Sequence, residues 1–278
     1  MKHLLIAALT AFSISAAEAQ DIGQLVEEAQ LRLDDGREAS ARSILRQADR
    51  AVSDTTDAAI RGDLAYAWSR YWRWRRQWDR AAGHADDALT LLSQAGAGSG
   101  EIADVAYHAG YVRYRAGDIR SANTAFETAV ELYARDRELF DSRRLRANGW
   151  ATMTRELADR MDIDREQHGG GVFVIARHAV PADPGLDAIS PVWAQTDTPG
   201  FDVSAWHGRM DGFVVALVDA GPDGEPVNLR VLESHPGDLW DLELSYALRT
   251  WRLDLSDPDA RRTDIPVTFV WAVQRHQR

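Results

Sequence analysis

The sequence of 278 residues contains no cysteine, and Lys2 is the one lysine among its 32 basic residues. Without cysteine the chain forms no disulfide and has no thiolate chemistry, so its stability must come from packing. Arginine supplies the rest of the positive charge, a bias that we attribute first to codon usage. The net charge of −11 argues against a nucleic-acid partner, because binding to phosphates depends on a dominant positive field.

Long hydrophobic runs are also missing, apart from a short one near the start. Residues 1–19 have a basic beginning, an apolar run and then Ala17-Glu18-Ala19, which fits the A-x-A cleavage pattern. The apolar run is well short of the ~20 residues that span a bilayer. We therefore expect a cleaved signal peptide, a periplasmic location and no transmembrane helix in the mature chain. An uncleaved anchor is the alternative.

Proline is absent from residues 21–165, where alanine recurs at helical spacing. Three windows share one pattern of small and apolar positions, and Ala41, Ala81 and Ala122 mark the same position in each. These alanines are 40 and then 41 residues apart. Self-similarity at such a period is typical of stacked helical hairpins, in which each pair buries its apolar face against its neighbours.

The windows resemble the tetratricopeptide (TPR) consensus, which has a turn glycine followed by Ala, a large apolar residue and Ala on the second helix. The third window matches best, at Gly117, Ala122, Phe126 and Ala129. In the second window Arg76 replaces the turn glycine. The resemblance implies an α-solenoid of helical hairpins over residues 20–166. A final first-helix around Gly149 and Trp150 is expected to cap the stack.

Four of the ten tryptophans lie in one stretch, "AYAWSRYWRWRRQWDRAA", residues 65–82. Trp68, Trp72 and Trp78 occupy positions where the consensus has large apolar residues, so we expect them in the core. Trp74 is out of that phase. It shares a separate helical face with a tyrosine and two arginines of the same helix.

In the TPR family that face of the first helix lines a concave groove. The candidate binding residues on it are Tyr66, Arg70, Arg73, Trp74, Tyr107, Tyr111, Tyr114, Arg115 and Trp150. Such a groove suits an extended peptide that carries carboxylates or aromatic side chains, because arginine binds carboxylates bidentately and aromatic residues bury area at low entropic cost. The alternative is that the arginines pair with nearby acidic residues while the tyrosines fill the superhelix.

The composition changes at residues 167–200, where three consecutive glycines and four prolines end the helical pattern. We interpret this segment as a linker in which "VFVIA" is a candidate short strand. Residues 212–273 then predict two strands joined by a Pro-Asp-Gly turn, a helix and a last strand. Pro266 lies in that last strand, where it is best tolerated at an edge or at the strand start.

Residues 201–278 resemble the C-terminal domain of TonB-type energy transducers. The matching positions are Phe201, Ala205, Gly212, Trp251, Arg252, Leu253, Pro266 and Phe269. The resemblance implies a small ββαβ domain after the solenoid, and therefore an α+β chain. It also implies that an exposed strand pairs with a segment of an outer-membrane transporter, since the free backbone groups of an edge strand are a template for another strand.

The chain departs from that family in several places. Asp202 stands where the family has proline, and Asp254 stands where proline usually follows the Trp-Arg-apolar motif. A helical repeat also replaces the N-terminal membrane helix and the long proline-rich span of full transducers. We therefore expect an adaptor, not the energy-transducing link itself.

No HExxH, GxSxG, P-loop or dinucleotide-binding motif is present. His168, His178 and Asp183 are the one cluster that suggests a metal, and their loop setting favours incidental surface residues. We therefore expect no enzyme, no metal and no cofactor.

Together these features favour a non-enzymatic periplasmic adaptor. Its repeat groove would bind a protein or peptide, and its TonB-like domain would dock to an outer-membrane transporter or another envelope component and support TonB-type transport. The alternative is a periplasmic scaffold or small-ligand-binding protein whose TonB-like domain has no transport role. An unrecognised hydrolase ranks third, because the sequence shows no nucleophile–base pattern.

Overall fold

The computed structural model describes residues 22–167, 174–178, 182–183, 185–186, 193–195, 212–236, 241–256 and 261–273. The expected signal peptide lies outside these ranges, as do Phe201, Asp202 and Ala205 of the TonB-like pattern and His168 of the candidate metal cluster. The described chain combines helices with antiparallel strands, which confirms the α+β class. It divides into two compact units, Met1–Asp118 and Ile119–Arg278, called here the N-terminal unit and the C-terminal unit.

The described part of the N-terminal unit is helical. Its helices are α1 (residues 22–34), α2 (Glu38–Ala51), α3 (Ala58–Trp74), α4 (Trp78–Ala95) and α5 (Ser99–Ala116). Within this unit α2 packs against α3, α3 against α4 and α4 against α5. The Asp57 carboxylate caps α3 by accepting a hydrogen bond from the backbone N–H of Ala59 at 2.7 Å. Such a cap satisfies one of the N–H groups that a helix start leaves unpaired.

The alanines of the repeated pattern are completely buried, as stacked helices require. Ala41 on α2, and Ala81 and Ala88 on α4, have no solvent-exposed surface. Small side chains at these positions let neighbouring helices approach closely, and larger residues fill the spaces beside them. Leu45 and Tyr71, both buried, belong to the same apolar cluster as Ala41.

Four helix ends in this unit have the same turn geometry. Gly36, Arg76, Gly96 and Gly117 all have positive φ, at 71°, 56°, 70° and 89°. At each turn this residue donates its N–H to the carbonyl three positions earlier, and the next residue donates to the carbonyl five positions earlier. This pair of bonds is the Schellman motif, which ends a helix by satisfying its last carbonyl groups. Three of the four turns, at Gly36, Arg76 and Gly117, follow the 40- and 41-residue period of the sequence, and the fourth, at Gly96, ends α4 between two of them.

The C-terminal unit contains helices and strands. Its elements are α6 (Ile119–Asp136), α7 (Ser142–Gln167), β1 (Val174–His178), β2 (Trp193–Gln195), β3 (Gly212–Ala220), β4 (Pro226–His235), α8 (Asp241–Leu248), β5 (Arg252–Leu253) and β6 (Ile265–Val273). Four strands form an antiparallel sheet in the order β1-β6-β3-β4, and β2 pairs separately with β5. The strands β3 and β4 form the hairpin that the sequence predicts.

The position of Pro266 follows from this order. β6 lies between β1 and β3, but β1 pairs with β6 only from Phe269 to Val273. Pro266 precedes that stretch, opposite Leu217 of β3. The proline therefore lies at the start of the strand, where β3 is its one partner among the described strands and its missing N–H removes no bond to β1.

Helices α6 and α7, assigned by sequence to the repeat, and strands β1 and β2, assigned by sequence to the linker, belong to the C-terminal unit. Helix α7 packs against β3, β4 and β6, and β1, which contains part of "VFVIA", pairs with β6. Gly149 on α7 explains the close contact with the sheet, because a Cβ atom there would lie 2.0 Å from the Phe213 ring. The core of this unit centres on the inner side chains of β3 and β6 with Trp251, which is 1% exposed.

Candidate functional site

A hollow of about 430 Å³ lies in the N-terminal unit, at the C-terminal ends of α1, α3 and α5 and the start of α4. It is lined by Leu33, Asp34, Arg70, Arg73, Trp74, Arg76, Trp78, Tyr111 and Arg115. We call this hollow the groove. Four of its nine lining residues are arginine, although the whole chain carries a net charge of −11.

The structure brings five of the predicted binding residues together in the groove: Arg70, Arg73, Trp74, Tyr111 and Arg115. Tyr66, Tyr107 and Tyr114 are half-buried on the same two helices and are not among its lining residues. Trp150 belongs to the C-terminal unit and is 2% exposed, stacked on Phe126 at 5.3 Å between ring centres. Its surface is used in packing, so it offers nothing to a ligand.

Trp78 was expected in the core, and that expectation is wrong. Its side chain is half-buried and lines the groove, with its ring edge-on to Tyr111 at 6.4 Å. The Arg115 guanidinium lies 4.6 Å from the centre of the Trp78 ring, a cation–π geometry. Trp68, in contrast, is buried in the apolar cluster as expected, and Trp72 packs against that cluster.

Sequence reasoning also missed Asp34 and Arg76. The signal was present in the repeat, since Asp34, Trp74 and Arg115 are 40 and then 41 residues apart. These three residues occupy the position just before each turn, and Arg76 occupies the turn itself. An alignment of the three windows that includes the turn residues predicts that these residues lie at the same ends of their helices.

The groove keeps a surplus of positive charge. Arg70 forms an ion pair with Asp34. Within the described residues, Arg73, Arg76 and Arg115 have no carboxylate partner, and the hydrogen bonds of Arg73 and Arg115 go to His108 and to the Tyr111 hydroxyl. Three guanidinium groups are thus available to an anion, and guanidinium–carboxylate pairs are among the stronger hydrogen-bonded contacts in proteins.

A buried histidine holds one of these arginines. His108 is 3% exposed, and its Nε2 lies 2.8 Å from the hydroxyl oxygen of Ser69. Because Ser69 donates its only hydroxyl proton to the carbonyl of Ala81 at 2.6 Å, His108 must carry a proton on Nε2 and leave Nδ1 as an acceptor. Arg73 donates to that Nδ1 at 3.5 Å.

The charge state of His108 agrees with this hydrogen-bond chain. Burial, followed by the positive charges of Arg73 and Arg70, lowers the pKa of His108 from 6.5 to about 3. The imidazole is therefore neutral at physiological pH and accepts from Arg73. The same arginine lies 4.4 Å from the centre of the Tyr111 ring, so its guanidinium is held from two sides at the wall of the groove.

Trp74 supplies the exposed apolar surface of the groove. It is 51% exposed, far more than Trp68 on the same helix. An exposed tryptophan beside unpaired arginines is typical of a binding surface, because it offers a large contact area at low entropic cost.

The C-terminal unit offers a second surface, the sheet edge at β4. Among the described strands β4 pairs on one side, with β3. Val227 and Val231 are large apolar side chains on this strand and are each 37% exposed. A strand with a free side presents backbone N–H and C=O groups to a partner chain.

The part of the chain that the structure describes contains neither a metal-binding cluster nor a membrane-spanning helix. No group of three or more histidine or acidic residues is arranged to hold a metal ion there. Asp183 of the candidate metal cluster is fully buried and pairs with Arg144. None of the helices in the described ranges has the length and apolar character of a membrane span.

Part of the chain is similar in sequence to a known protein. A stretch of 83 residues is 32% identical to protein TonB of Klebsiella pneumoniae, and it covers 30% of this chain and 32% of that protein. The chain therefore matches about a third of the length of that relative. The match confirms that the chain contains a TonB-like region. No protein-family model matches the chain.

Among solved structures, BtubC (BKLC) from P. vanneervenii is similar to 57% of this chain and to 68% of its own length. The sequence identity is 20% and the TM-score is 0.43. A TM-score of this size does not establish a shared fold.

Proposed function

We propose that the chain is a non-enzymatic adaptor of the bacterial periplasm, with two protein-binding surfaces. The groove of the N-terminal unit binds an acidic or aromatic segment of a protein partner. The TonB-like region docks to an outer-membrane transporter or another envelope component and supports TonB-type transport. The signal-like residues 1–19 support export, and the TonB match supports an envelope location and protein partners.

The observation that carries the groove is its uncompensated positive charge beside exposed aromatic surface. Arg73, Arg76 and Arg115 have no acidic partner within the described residues, and Trp74 is half-exposed next to them. Each guanidinium can form two parallel hydrogen bonds with a carboxylate, and Trp74 can pack against an apolar side chain of the same ligand.

The recurrence of the turn geometry supports an α-solenoid of TPR-like hairpins in this part of the chain. Three Schellman turns at the repeat period place Asp34, Trp74 and Arg115 at equivalent positions. Helical repeats bind extended segments along such a row of equivalent positions. A protein or peptide therefore fits the groove better than a compact substrate.

The docking role of the TonB-like region rests on the β4 edge. An extended segment of an envelope protein would add to the sheet beside β4, with Val227 and Val231 contributing apolar contacts. Main-chain hydrogen bonds supply the affinity in this mode of binding, and side-chain pockets supply the specificity.

Site-specific photo-crosslinking in living cells tests both surfaces. A photoreactive amino acid is placed at Trp74 in the groove or at Val231 on β4, with the exposed residue Thr90 on α4 as the control position. We expect a defined protein adduct at Trp74 and an outer-membrane protein adduct at Val231, with neither at Thr90. Absence of both adducts, or a cytosolic location of the chain, contradicts the proposal.

A small-ligand-binding protein is the second candidate. The groove volume of about 430 Å³ lies within the range of small-molecule pockets. That candidate predicts a low-molecular-mass ligand that co-purifies with the chain and is lost in Arg73→Gln. It also predicts no protein adduct at Trp74.

A further inference from the structure

A second basic surface lies beside α2 and the C-terminal end of α3. It is a hollow of about 490 Å³ lined by Glu38, Ala39, Arg42, Ser43, Arg46, Arg50, Tyr71 and Arg75. We call Arg42, Arg46 and Arg50 the arginine row, because they follow one another at four-residue intervals along the exposed face of α2. Residues four apart on a helix lie on the same face.

The acidic residues of α2 do not neutralise the arginine row. Glu38 accepts hydrogen bonds from Arg75 at 2.7 Å and from the Tyr71 hydroxyl at 3.3 Å. Asp49 accepts from the indole N–H of Trp68 at 3.0 and 3.1 Å. Both carboxylates are therefore engaged by α3.

The arginine row itself has no ion-pair partner within the described residues, and its like charges are close together. Four guanidinium groups and one carboxylate line the hollow, which leaves a net charge of +3. Like charges at four-residue spacing destabilise a helix. A favourable interaction with the helix dipole accounts for Arg50 in the last turn, but not for Arg42 in the first half of the helix.

We propose that the arginine row binds an extended acidic segment of a protein, with carboxylates at alternate positions. Four residues of helix advance by about 6 Å, and two residues of an extended strand advance by about 6.6 Å. Successive guanidinium groups of the row are therefore matched in spacing to alternate side chains of an extended chain. Each pair can be bidentate.

The lining of the hollow favours such a segment over a membrane surface. Its other members are small or polar, and Tyr71 is 2% exposed. None of the exposed large apolar residues in the described chain lies in this hollow. Binding to a membrane surface combines positive charge with apolar side chains that insert between lipids, and the second component is missing at this site.

This site is independent of the groove, although Arg75 and Arg76 are neighbours in sequence. Arg75 lines the hollow beside α2, and Arg76 lines the groove. Together the two hollows hold eight of the 32 basic residues, four in each. A partner could engage one of them without the other, so each is tested with its own substitutions.

The test measures binding of a fluorescein-labelled peptide, EAEAEAE, to the purified full chain by fluorescence anisotropy. We expect binding that weakens as salt rises, and at least a tenfold loss of affinity in the triple variant R42Q/R46Q/R50Q. The matched control is R32Q/R37Q/R135Q, which removes the same charge at three arginines that have carboxylate neighbours. The control should bind as the parent chain does.

Further arms of the experiment separate this proposal from its competitors. The peptide AAEEEEA has the same composition without the alternation and should bind several-fold more weakly, while QAQAQAQ should not bind. We expect the triple variant to fold, because its substitutions remove like-charge repulsion at exposed positions. Circular dichroism and urea unfolding check this. No binding of EAEAEAE, equal loss in the control variant, or binding only of inorganic polyphosphate or of anionic phospholipid vesicles would overturn the proposal.

Discussion

The Arg73 guanidinium lies over the ring of Tyr111, 4.4 Å from its centre, and so joins the end of α3 to α5 at the wall of the groove. The same guanidinium contacts the buried imidazole of His108. A cation held by a ring face and by a neutral imidazole loses little freedom when an anion binds, because its orientation is already set. Arg73 is therefore the arginine of the groove whose removal should matter most to a ligand.

The first prediction is that Arg73→Gln weakens partner binding at the groove. Loss of one bidentate guanidinium contact should lower the yield of the Trp74 photo-crosslink by about tenfold, since charged hydrogen bonds contribute about 1.5–3 kcal/mol. Arg135→Gln is the control, because that exposed arginine lies on α6, outside the groove, and pairs with Glu131 of the same helix. An unchanged yield in Arg73→Gln would show that the groove does not bind through this cation.

The second prediction concerns Arg76, which has a φ of 56° at a turn where the other two repeats have glycine. A left-handed conformation costs a residue with a side chain about 1 kcal/mol, and glycine adopts it freely. We expect Arg76→Gly to raise the free energy of unfolding by up to about 1 kcal/mol while it weakens crosslinking at Trp74. Gly117→Ala should lower the free energy of unfolding by a similar amount.

Opposite effects on stability and on binding would separate a ligand-binding role of Arg76 from a structural one. Urea unfolding followed by circular dichroism measures the first quantity, and crosslinking yield measures the second. A loss of stability in Arg76→Gly would instead mean that its side chain stabilises the turn.

The third prediction is a pH dependence of stability that depends on His108. Its pKa is about 3 in the folded chain against an ordinary value of 6.5, so between these values the unfolded chain binds a proton that the folded chain does not. Stability therefore falls as the pH falls below 6.5, by about 1.4 kcal/mol per pH unit for this one proton. His108→Gln keeps an amide donor and acceptor in place and should lack this component.

Asp63 has the opposite effect on the pH dependence of stability. The contribution of His108 is therefore measured as the difference in stability between the parent chain and His108→Gln. Burial and then the charge of Glu101 raise the pKa of Asp63 from 3.8 to about 6. As the pH falls, Asp63 takes up a proton in the folded chain before it does so in the unfolded chain. Its contribution to the free energy of unfolding therefore rises as the pH falls from about 6 to 3.8. Urea midpoints at pH 7, 5.5 and 4 should show a stability difference, parent minus variant, that becomes smaller as the pH is lowered from 7 to 4. A constant difference would contradict the assignment to His108.

The sequence predicted the helices of the N-terminal unit and the β3–β4 hairpin because both depend on local patterns. Buried alanines at the repeat period and a Pro-Asp-Gly turn leave their signature within a few residues. It also predicted five residues of the groove. It wrongly predicted that Trp78 lies in the core. The helical phase of this residue at the start of α4 does not show that Arg115, from another helix, covers its ring.

The environment of Trp150 depends on contacts distant in sequence. In sequence Trp150 repeats the position of Tyr111, but its ring is 5.6 Å from Phe213, which is more than sixty residues further along the chain. No local pattern indicates that a sheet strand will pack there. The boundary predicted at residue 166 depends on the same kind of information, because α7 contacts strands that follow it by about fifty residues or more.

The fourth prediction uses two helical glycines with opposite surroundings. A Cβ atom at Gly149 would lie 2.0 Å from the Phe213 ring, whereas one at Gly83 would meet nothing within 4 Å. We expect Gly149→Ala to destabilise the fold by about 1–3 kcal/mol through overpacking. Gly83→Ala should stabilise it by up to about 1 kcal/mol through helix propensity. Thermal unfolding that shows the same sign for both would contradict the close packing of α7 on β3.

The fifth prediction concerns the buried ion pair of the C-terminal unit. The Arg144 guanidinium donates to both carboxylate oxygens of Asp183, at 2.5 and 2.8 Å, and Asp183 has no solvent-exposed surface. The same carboxylate accepts from the backbone N–H of Gly185 at 2.8 Å, and the backbone N–H of Asp183 donates to the Asn148 side chain at 2.9 Å. One aspartate therefore fixes this short segment to α7 through its side chain and its backbone.

Asp183→Ala should destabilise the fold by about 3–5 kcal/mol, because it leaves a guanidinium buried without its counter-charge. The double variant Asp183→Ala/Arg144→Met should recover much of that loss, since the uncompensated charge is then removed as well. Glu131→Ala, which breaks the exposed pair with Arg135, should cost less than about 1 kcal/mol. Urea unfolding of the four chains measures these differences. If Asp183→Ala cost no more than Glu131→Ala, the pair would have to be exposed in solution, and α7 would not be fixed to this segment through Arg144.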